Sequence, residues 1–309
     1  MRRNLADQSG SALVITLLVV VMLTVTVTDF LYATWIDKSL AAGFRDNTSA
    51  MEAVRSGVEA GRALLIEDRK KDARSKILID HLGEDWALPS IPIPISGTYV
   101  FLTVMDESAK IDLNRLAGDR MAEKLRPILR RLLYGLDMDG DIADAITDWI
   151  DIDDEGAAED GYYQSLNPPY PCKNGKLDSL EEIKRIRGVT PVVFGVLKKF
   201  VTIHSMGKIN LNTAHLRIIE ALHEEISQSM AEAVIEARNS APFRTTIDIK
   251  TVSGFNDAIY LPISSIIDVK SESYFVYAVA KFNEVTRMAQ AVFKERTENG
   301  AKMIYFRII

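Results

Sequence analysis

The chain has 309 residues, 47% of them hydrophobic, enough for about two domains with sizeable cores. Its formal net charge of -6 and pI near 5.4 argue against a general nucleic-acid binder, which carries a basic balance. A single cysteine, Cys172, excludes an internal disulfide, and the four histidines form no cluster in sequence.

The first element is apolar. No charge occurs between Asp7 and Asp29. A helix needs about 20 mostly apolar residues to cross a bilayer, so residues 11–32 predict one membrane span. Thr16, Thr24, Thr26 and Thr28 are tolerable there because their hydroxyls can return to the helix backbone. Arg2 and Arg3 precede the span. The positive-inside tendency keeps that end cytoplasmic and puts the bulk of the chain outside. A secretory signal would place its small-residue cleavage site after the apolar run. Here the small-residue junction, Gly10–Ser11, comes before it. Cleavage there removes a leader of residues 1–10 and retains the apolar helix. An uncleaved anchor is the alternative.

No proline appears before Pro89. Ile36, Leu40, Phe44, Met51, Val54, Val58 and Leu65 recur at three-, four- and seven-residue spacings, a helical stripe. One continuous helix over residues 11–66 would be roughly 80 Å long. Gly57 and Gly61, four apart, mark a face that a neighbour can approach closely. The stripe needs a platform, and both ends of the remaining chain offer one. "GTYVFLTVMDES" alternates like a strand. Residues 273–309 read as three strands, with turns at Asn283–Glu284 and at Asn299–Gly300, the latter a strong hairpin signal. "LPSIPIPISG" reads as a Pro-rich connector. These segments make a first sheet-domain part over 33–112 and its final strands over 270–309.

Residues 113–269 read as a helical block inserted into that sheet domain. Ser179–Leu180–Glu181–Glu182 is a capping box. Thr190–Pro191 is an N-cap followed by proline at the first helical position. Thr213 and Ser227 are expected to cap two further helices.

The acidic stretch "DMDGDIADAITDWIDIDDEGAAEDGYY" carries eleven carboxylates between Asp137 and Asp160 and no Lys or Arg. A bound cation would relieve their repulsion. Oxygen ligands without His or Cys point to calcium and away from zinc or copper. Asp137, Asp139 and Asp141 begin like an EF-hand loop, but Ile142 stands where that loop needs glycine and Asp148 where it needs glutamate, which argues against a true EF-hand. The candidate ligands are Asp148, Asp151, Asp153, Asp154, Glu155, Glu159 and Asp160. A solvated acidic loop is the alternative. The chain shows no nucleophile with a base, which argues against an enzyme. Two segments, "LDSLEEIKRIRGVTPVVFGVLKKFVTIH" and "INLNTAHLRIIEALHEEISQSMAEAVIEARNSAPF", each suggest a helix-hairpin-helix unit. The second resembles the corresponding segment of DNA-uptake proteins. Its turn carries His223, Glu224 and Glu225, and the carboxylates would repel phosphate, so a packing unit is expected there rather than a nucleic-acid site.

Taken together, "SG" before "SALVITLLVVVML", "DESAKIDLN", "ITDWIDIDDEGAAEDGYY", "LDSLEEIKRIRGVTPVVF" and "INLNTA" resemble the K-class minor pseudopilins of bacterial type II secretion. The resemblance covers nearly the whole chain. It implies an α+β fold: a pilin-like long N-terminal helix on an antiparallel sheet, with a large inserted helical domain. It implies cleavage by prepilin peptidase between Gly10 and Ser11, and methylation of Ser11. It also implies calcium in the acidic segment. The implied partners are other minor pseudopilins, the major pseudopilin, the inner-membrane assembly platform and membrane lipid. The implied location is the inner membrane, single pass, with the C-terminal domain in the periplasm. Most pilin-like subunits carry glutamate at mature position five. Ile15 stands there, which in the family fits a subunit at the pseudopilus tip. A membrane-anchored DNA-binding protein of the uptake type is the alternative function. Cys172 in "NPPYPCKNG" is expected in a surface loop.

Overall fold

The computed structural model describes residues 6–89, 91–95, 97–118 and 120–309. Residues 1–5 of the expected leader, Arg2 and Arg3 among them, lie outside the described residues.

Helix α1 runs unbroken over Ala6–Ser75, about 105 Å at 1.5 Å per residue. It passes through Gly10–Ser11 and extends nine residues beyond the expected end near Ile66. Its first part is the one helix, among the described residues, long and apolar enough to cross a membrane, and that part is exposed. Thr24, Thr26 and Thr28 hydroxyls donate to the carbonyls of Val20, Met22 and Thr24 as expected. The amphipathic stripe divides. Val54, Val58 and Leu65 are buried, whereas Leu40 and Phe44 remain exposed. The sheet reaches only to about Asp46, which accepts from Asn283 at the hairpin nearest the apolar segment.

The sheet holds five strands in the order β1-β2-β7-β8-β9. They are β1 (Ile91–Ile95), β2 (Thr98–Asp106), β7 (Ser273–Phe282), β8 (Val285–Thr297) and β9 (Gly300–Ile308), all antiparallel. The Pro-rich segment is therefore strand rather than connector. Pro92 and Pro94 have no N–H to give, and an edge strand tolerates that. Ala278 and Ala280 of β7 and Ala289 and Ala291 of β8 are buried. Small residues there let α1 lie close, with Gly57 against Val100 and Ala278 and Gly61 against Val276 and Leu102.

β2 and β7 pair directly, with Asp106 opposite Tyr274. The chain between them leaves and returns at one end of the sheet. It holds β3 (Ile111–Asp112), α2 (Arg120–Gly135), α3 (Asp141–Ile150), α4 (Asp160–Gln164), α5 (Pro191–Leu197), β4 (Val201–Thr202), β5 (Ile209–Asn210), α6 (Leu216–Ala221), α7 (Gln228–Ser240), α8 (Asp257–Ile263) and β6 (Ile267–Asp268). Its buried apolar residues form one core, and the α1–sheet residues form another.

The block is an internal duplication. β3 pairs parallel with β4, and β5 pairs parallel with β6. Asp112 accepts from the Asn114 N–H, and Asn210 from the Asn212 N–H. The Asn114 amide then holds both backbone groups of Leu177, as the Asn212 amide holds both of Phe243. From there the halves run in step at constant offset. The Glu182 carboxylate accepts from the Ser179 N–H, and the Asp248 carboxylate from the Thr245 N–H. Gly188 and Gly254 both take positive φ, +81 and +92. Thr190 caps α5 and Asn256 caps α8. The segment from Leu177 is thus the counterpart of that from Phe243, not of "INLNTA…APF" as the sequence suggested. Ser227 caps α7 as expected. Thr213 does not cap α6. Its hydroxyl is drawn to the buried Asp106 carboxylate, and His215 Nδ1 accepts from Arg217 N instead.

Candidate metal centre

The two halves differ most where α3 and α7 end. α7 leads within a few residues to Phe243, whereas α3 leads into a long acidic loop before Leu177. That loop is pinned to an aromatic cluster. Trp149 packs edge-on to Tyr163 with centroids 4.9 Å apart, and Tyr163 tilts onto Tyr170 at 5.4 Å. Arg187 donates from Nη1 to the Ala157 carbonyl at 3.0 Å, and its backbone N–H donates to Tyr163 Oη.

The structure sorts the seven candidate ligands. Asp151, Asp153 and Glu159 converge: each offers a carboxylate oxygen within 4.8 Å of the others. Glu159 is buried, yet both its oxygens lack a hydrogen-bond donor, as does Asp151 Oδ1. Asp148 stands beside them. Its Oδ2 accepts from Ala158 N at 2.9 Å, and Gly156 lies flat on the same carboxylate, where a Cβ would come within 2.3 Å. Asp160 is turned away, accepting from Cys172 N at 3.0 Å. Asp154 and Glu155 are exposed, and neither belongs to the converging trio. Cys172, expected on a surface loop, is buried with Sγ 3.7 Å from the Asp148 carbonyl.

Burial, and then the charges of Asp148 and Asp151, push the Glu159 carboxyl up to about 7. Burial, and then Asp153 and Asp148, raise Asp151 to about 6. Buried carboxylate oxygens without donors are costly. This set is oxygen only, which suits a hard divalent cation.

Two family models match the chain, both described as type II secretion system (T2SS), protein K. One covers residues 109–206 and the other 209–269, in step with the two halves of the duplication and together just over half of the chain. Type II secretion system protein K of Pseudomonas aeruginosa is 28% identical over 263 residues, covering 80% of this chain and 77% of that protein. Its namesake in Aeromonas hydrophila is 23% identical over 327 residues, covering 96% of each. A chain from the crystal structure of the GspK-GspI-GspJ complex of the enterotoxigenic Escherichia coli type 2 secretion system shares the fold. Its TM-score is 0.74 at 17% identity, covering 87% of this chain and 99% of that one.

A long N-terminal helix laid on an antiparallel sheet, with a helical block grown out between two paired strands, defines a pilin-like subunit of the pseudopilin class. The chain belongs to the type II secretion system protein K family. It is a structural component of protein transport, and its one membrane-length apolar helix among the described residues fits a single-pass inner-membrane protein. The family assignment does not favour the DNA-uptake alternative.

Proposed function

We propose that this protein caps the tip of the type II secretion pseudopilus and helps to start its assembly with other minor pseudopilins. One observation carries the reading: the inserted block sits at the end of the sheet remote from the apolar rod. The sheet's near end is marked by Arg287 on Asn47 and its far end by Arg296 on Asp68. The block leaves beyond that far end, where Asp106 faces Tyr274. A subunit stacked above would meet the block's bulk, while one alongside or below meets the exposed rod.

Ile15 supports the same position. A carboxylate at that depth needs a partner above it, and a topmost subunit has none. Cleavage after Gly10 frees the rod to pack among sibling helices, and methylation of Ser11 follows. The rod crosses the inner membrane with the head in the periplasm. The assembly platform and membrane lipid contact it from below, and the major pseudopilin joins beneath the minor ones.

Calcium binds the acidic loop through Asp151, Asp153 and Glu159, with Asp148 adding negative charge beside them. The support is the set of buried oxygens without donors. The ion neutralises the loop and fixes it against the aromatic cluster.

Electron microscopy of sheared pseudopili, gold-labelled through a tag within the inserted block, tests the position. A single label at one end is expected. Labels spaced along the fibre would contradict the proposal.

A further inference from the structure

After α1 the chain turns at Lys76, and residues 76–88 strap the end of the rod to the rest of the head. Ile79 packs in the core of the inserted block. Trp86 packs in the core between α1 and the sheet, edge-on to Tyr274 with centroids 5.2 Å apart. The backbone ties the strap to the block as well. Asp80 N donates to the Val269 carbonyl at 2.9 Å, and the Asp80 carbonyl accepts from Asn210 Nδ2 at 3.0 Å.

Glu84 lies between these two anchors, with its side chain 11% exposed. Asp68 of α1, Asp80 and Glu84 each present an oxygen within 4.8 Å of the others. The buried guanidinium of Arg296 pairs with Asp68 and Asp80, and Tyr274 Oη donates to Asp80 at 2.5 Å. Glu84 receives neutral donors instead. Its Oε2 accepts from Trp86 Nε1 at 2.6 Å and from His81 N at 3.1 Å. His81 Nε2 stands 3.8 Å from Oε1, and burial lowers the pKa of that imidazole, which keeps it neutral. Three carboxylates this close do not all ionise beside one guanidinium. The proton stays on Glu84, the member of the trio that Arg296 does not pair. Burial, and then the charges of Asp68 and Asp80, push this carboxyl up to about 8. Asp72, which has Arg69 and Arg296 each at 3.7 Å, is raised only to about 6 and ionises first.

Beside Glu84 is a cavity of about 310 Å3 between the rod end and the block. Its far wall carries Pro242 and the exposed Arg244.

We propose that Glu84 is a proton-operated latch: protonated, it stays against Trp86 and holds the head to the rod end, and ionised, it leaves into the cavity toward Arg244 and loosens the strap. On opening, the carboxyl gives its proton to solvent and the carboxylate gains the charge of Arg244. The closed strap keeps the proton up to about pH 8, whereas a freed side chain keeps it only to the ordinary 4.5. Opening is therefore favoured as pH rises between those values, by up to about tenfold per pH unit, and no further above them. The latch shares no residue with the acidic loop, and it stands or falls separately from the tip-cap reading.

The test uses the full-length protein in detergent and chelator. Hydrogen exchange of residues 76–88, corrected for the intrinsic effect of pH, follows the strap. In the wild type, protection is expected to fall between about pH 6 and pH 8, by up to about tenfold per unit, and then to level off. Glu84→Gln cannot ionise and is expected to keep its protection across that range. Arg244→Gln removes the charge that receives the open carboxylate, so its protection at pH 8 should be about two- to fivefold above wild type. With isotope-labelled tryptophan, the Trp86 indole resonance, assigned by its loss in Trp86→Phe, should shift over the same range and stay still in Glu84→Gln. Circular dichroism identifies a variant that has not folded, in which case the wild type against Arg244→Gln decides. Wild-type protection independent of pH, an equal fall in Glu84→Gln, or no difference between Arg244→Gln and wild type would overturn the proposal.

Discussion

Gly61 of α1 lies so close to Val276 of β7 that an added Cβ would sit 2.7 Å from Val276 Cγ1. Gly57, one turn earlier, stands in the same relation to Val100, at 2.6 Å. Alanine at an exposed helix position gains about 1 kcal/mol over glycine. Overpacking a filled interface loses about 1–3 kcal/mol. Gly61→Val adds branching on top of the Cβ and is expected to destabilise the head by about 2–3 kcal/mol. Gly43→Ala, where nothing lies within 4 Å, should be neutral or slightly stabilising. Denaturant unfolding of the detergent-solubilised chain distinguishes the two.

The duplicated asparagines make a second prediction. Asn212→Ala removes two hydrogen bonds and leaves both backbone groups of Phe243 unpaired. Unpaired buried groups carry about 1–3 kcal/mol each, so a loss of about 2–4 kcal/mol is expected. Asn114→Ala breaks the matching pair at Leu177. Asn114 is less buried than Asn212, so its loss should be the smaller. Equal and negligible effects in unfolding curves would mean that these amides do not hold the two halves.

The acidic loop predicts a pH dependence. Burial raises Glu159 to about 7 and Asp151 to about 6, both above their ordinary values. The folded loop therefore keeps protons that the unfolded chain has already released. In chelator, stability is expected to fall as pH rises from about 4 to about 7. Calcium replaces those protons and should flatten the loss, as should Glu159→Gln without metal. Thermal midpoints across that range, in chelator and in calcium, measure both. A midpoint that rises with pH in chelator would contradict the assignment.

Processing makes a fourth prediction. Intact mass of the membrane-extracted chain should correspond to a methylated N-terminus at Ser11. Gly10 replaced by a bulky residue should leave the chain uncut and out of assemblies.

Much of this architecture was legible because it rests on periodicity and turn chemistry. Val54, Val58 and Leu65 repeat at helical spacing and do meet the sheet, and Asn283 takes the positive φ of a hairpin turn. Other features have no local signal. Past Ile66 the buried face of α1 is carried by Asp68 and Asp72, so a hydrophobic period cannot follow the helix to its end. Pro92 and Pro94 mask β1 because only the sheet order shows that it is an edge. The duplication hides because its halves share hydrogen-bond partners more than residue types: Glu182 and Asp248, or Thr190 and Asn256, do the same work. Within the acidic loop, Asp154 and Glu159 read alike in sequence. Only the fold buries one and exposes the other. The cluster at Asp68, Asp80 and Arg296 joins residues far apart in the chain, and no spacing rule brings them together.

In the proposed assembly the exposed rod docks against sibling rods while the block stays uppermost. Photo-cross-linking in cells from Leu40, on the exposed stripe of α1, tests it most directly. Adducts with other pseudopilins are expected at Leu40, and none with a pseudopilin from Ile152 on the exposed acidic loop. Adducts with pseudopilins from Ile152 and none from Leu40 would contradict it.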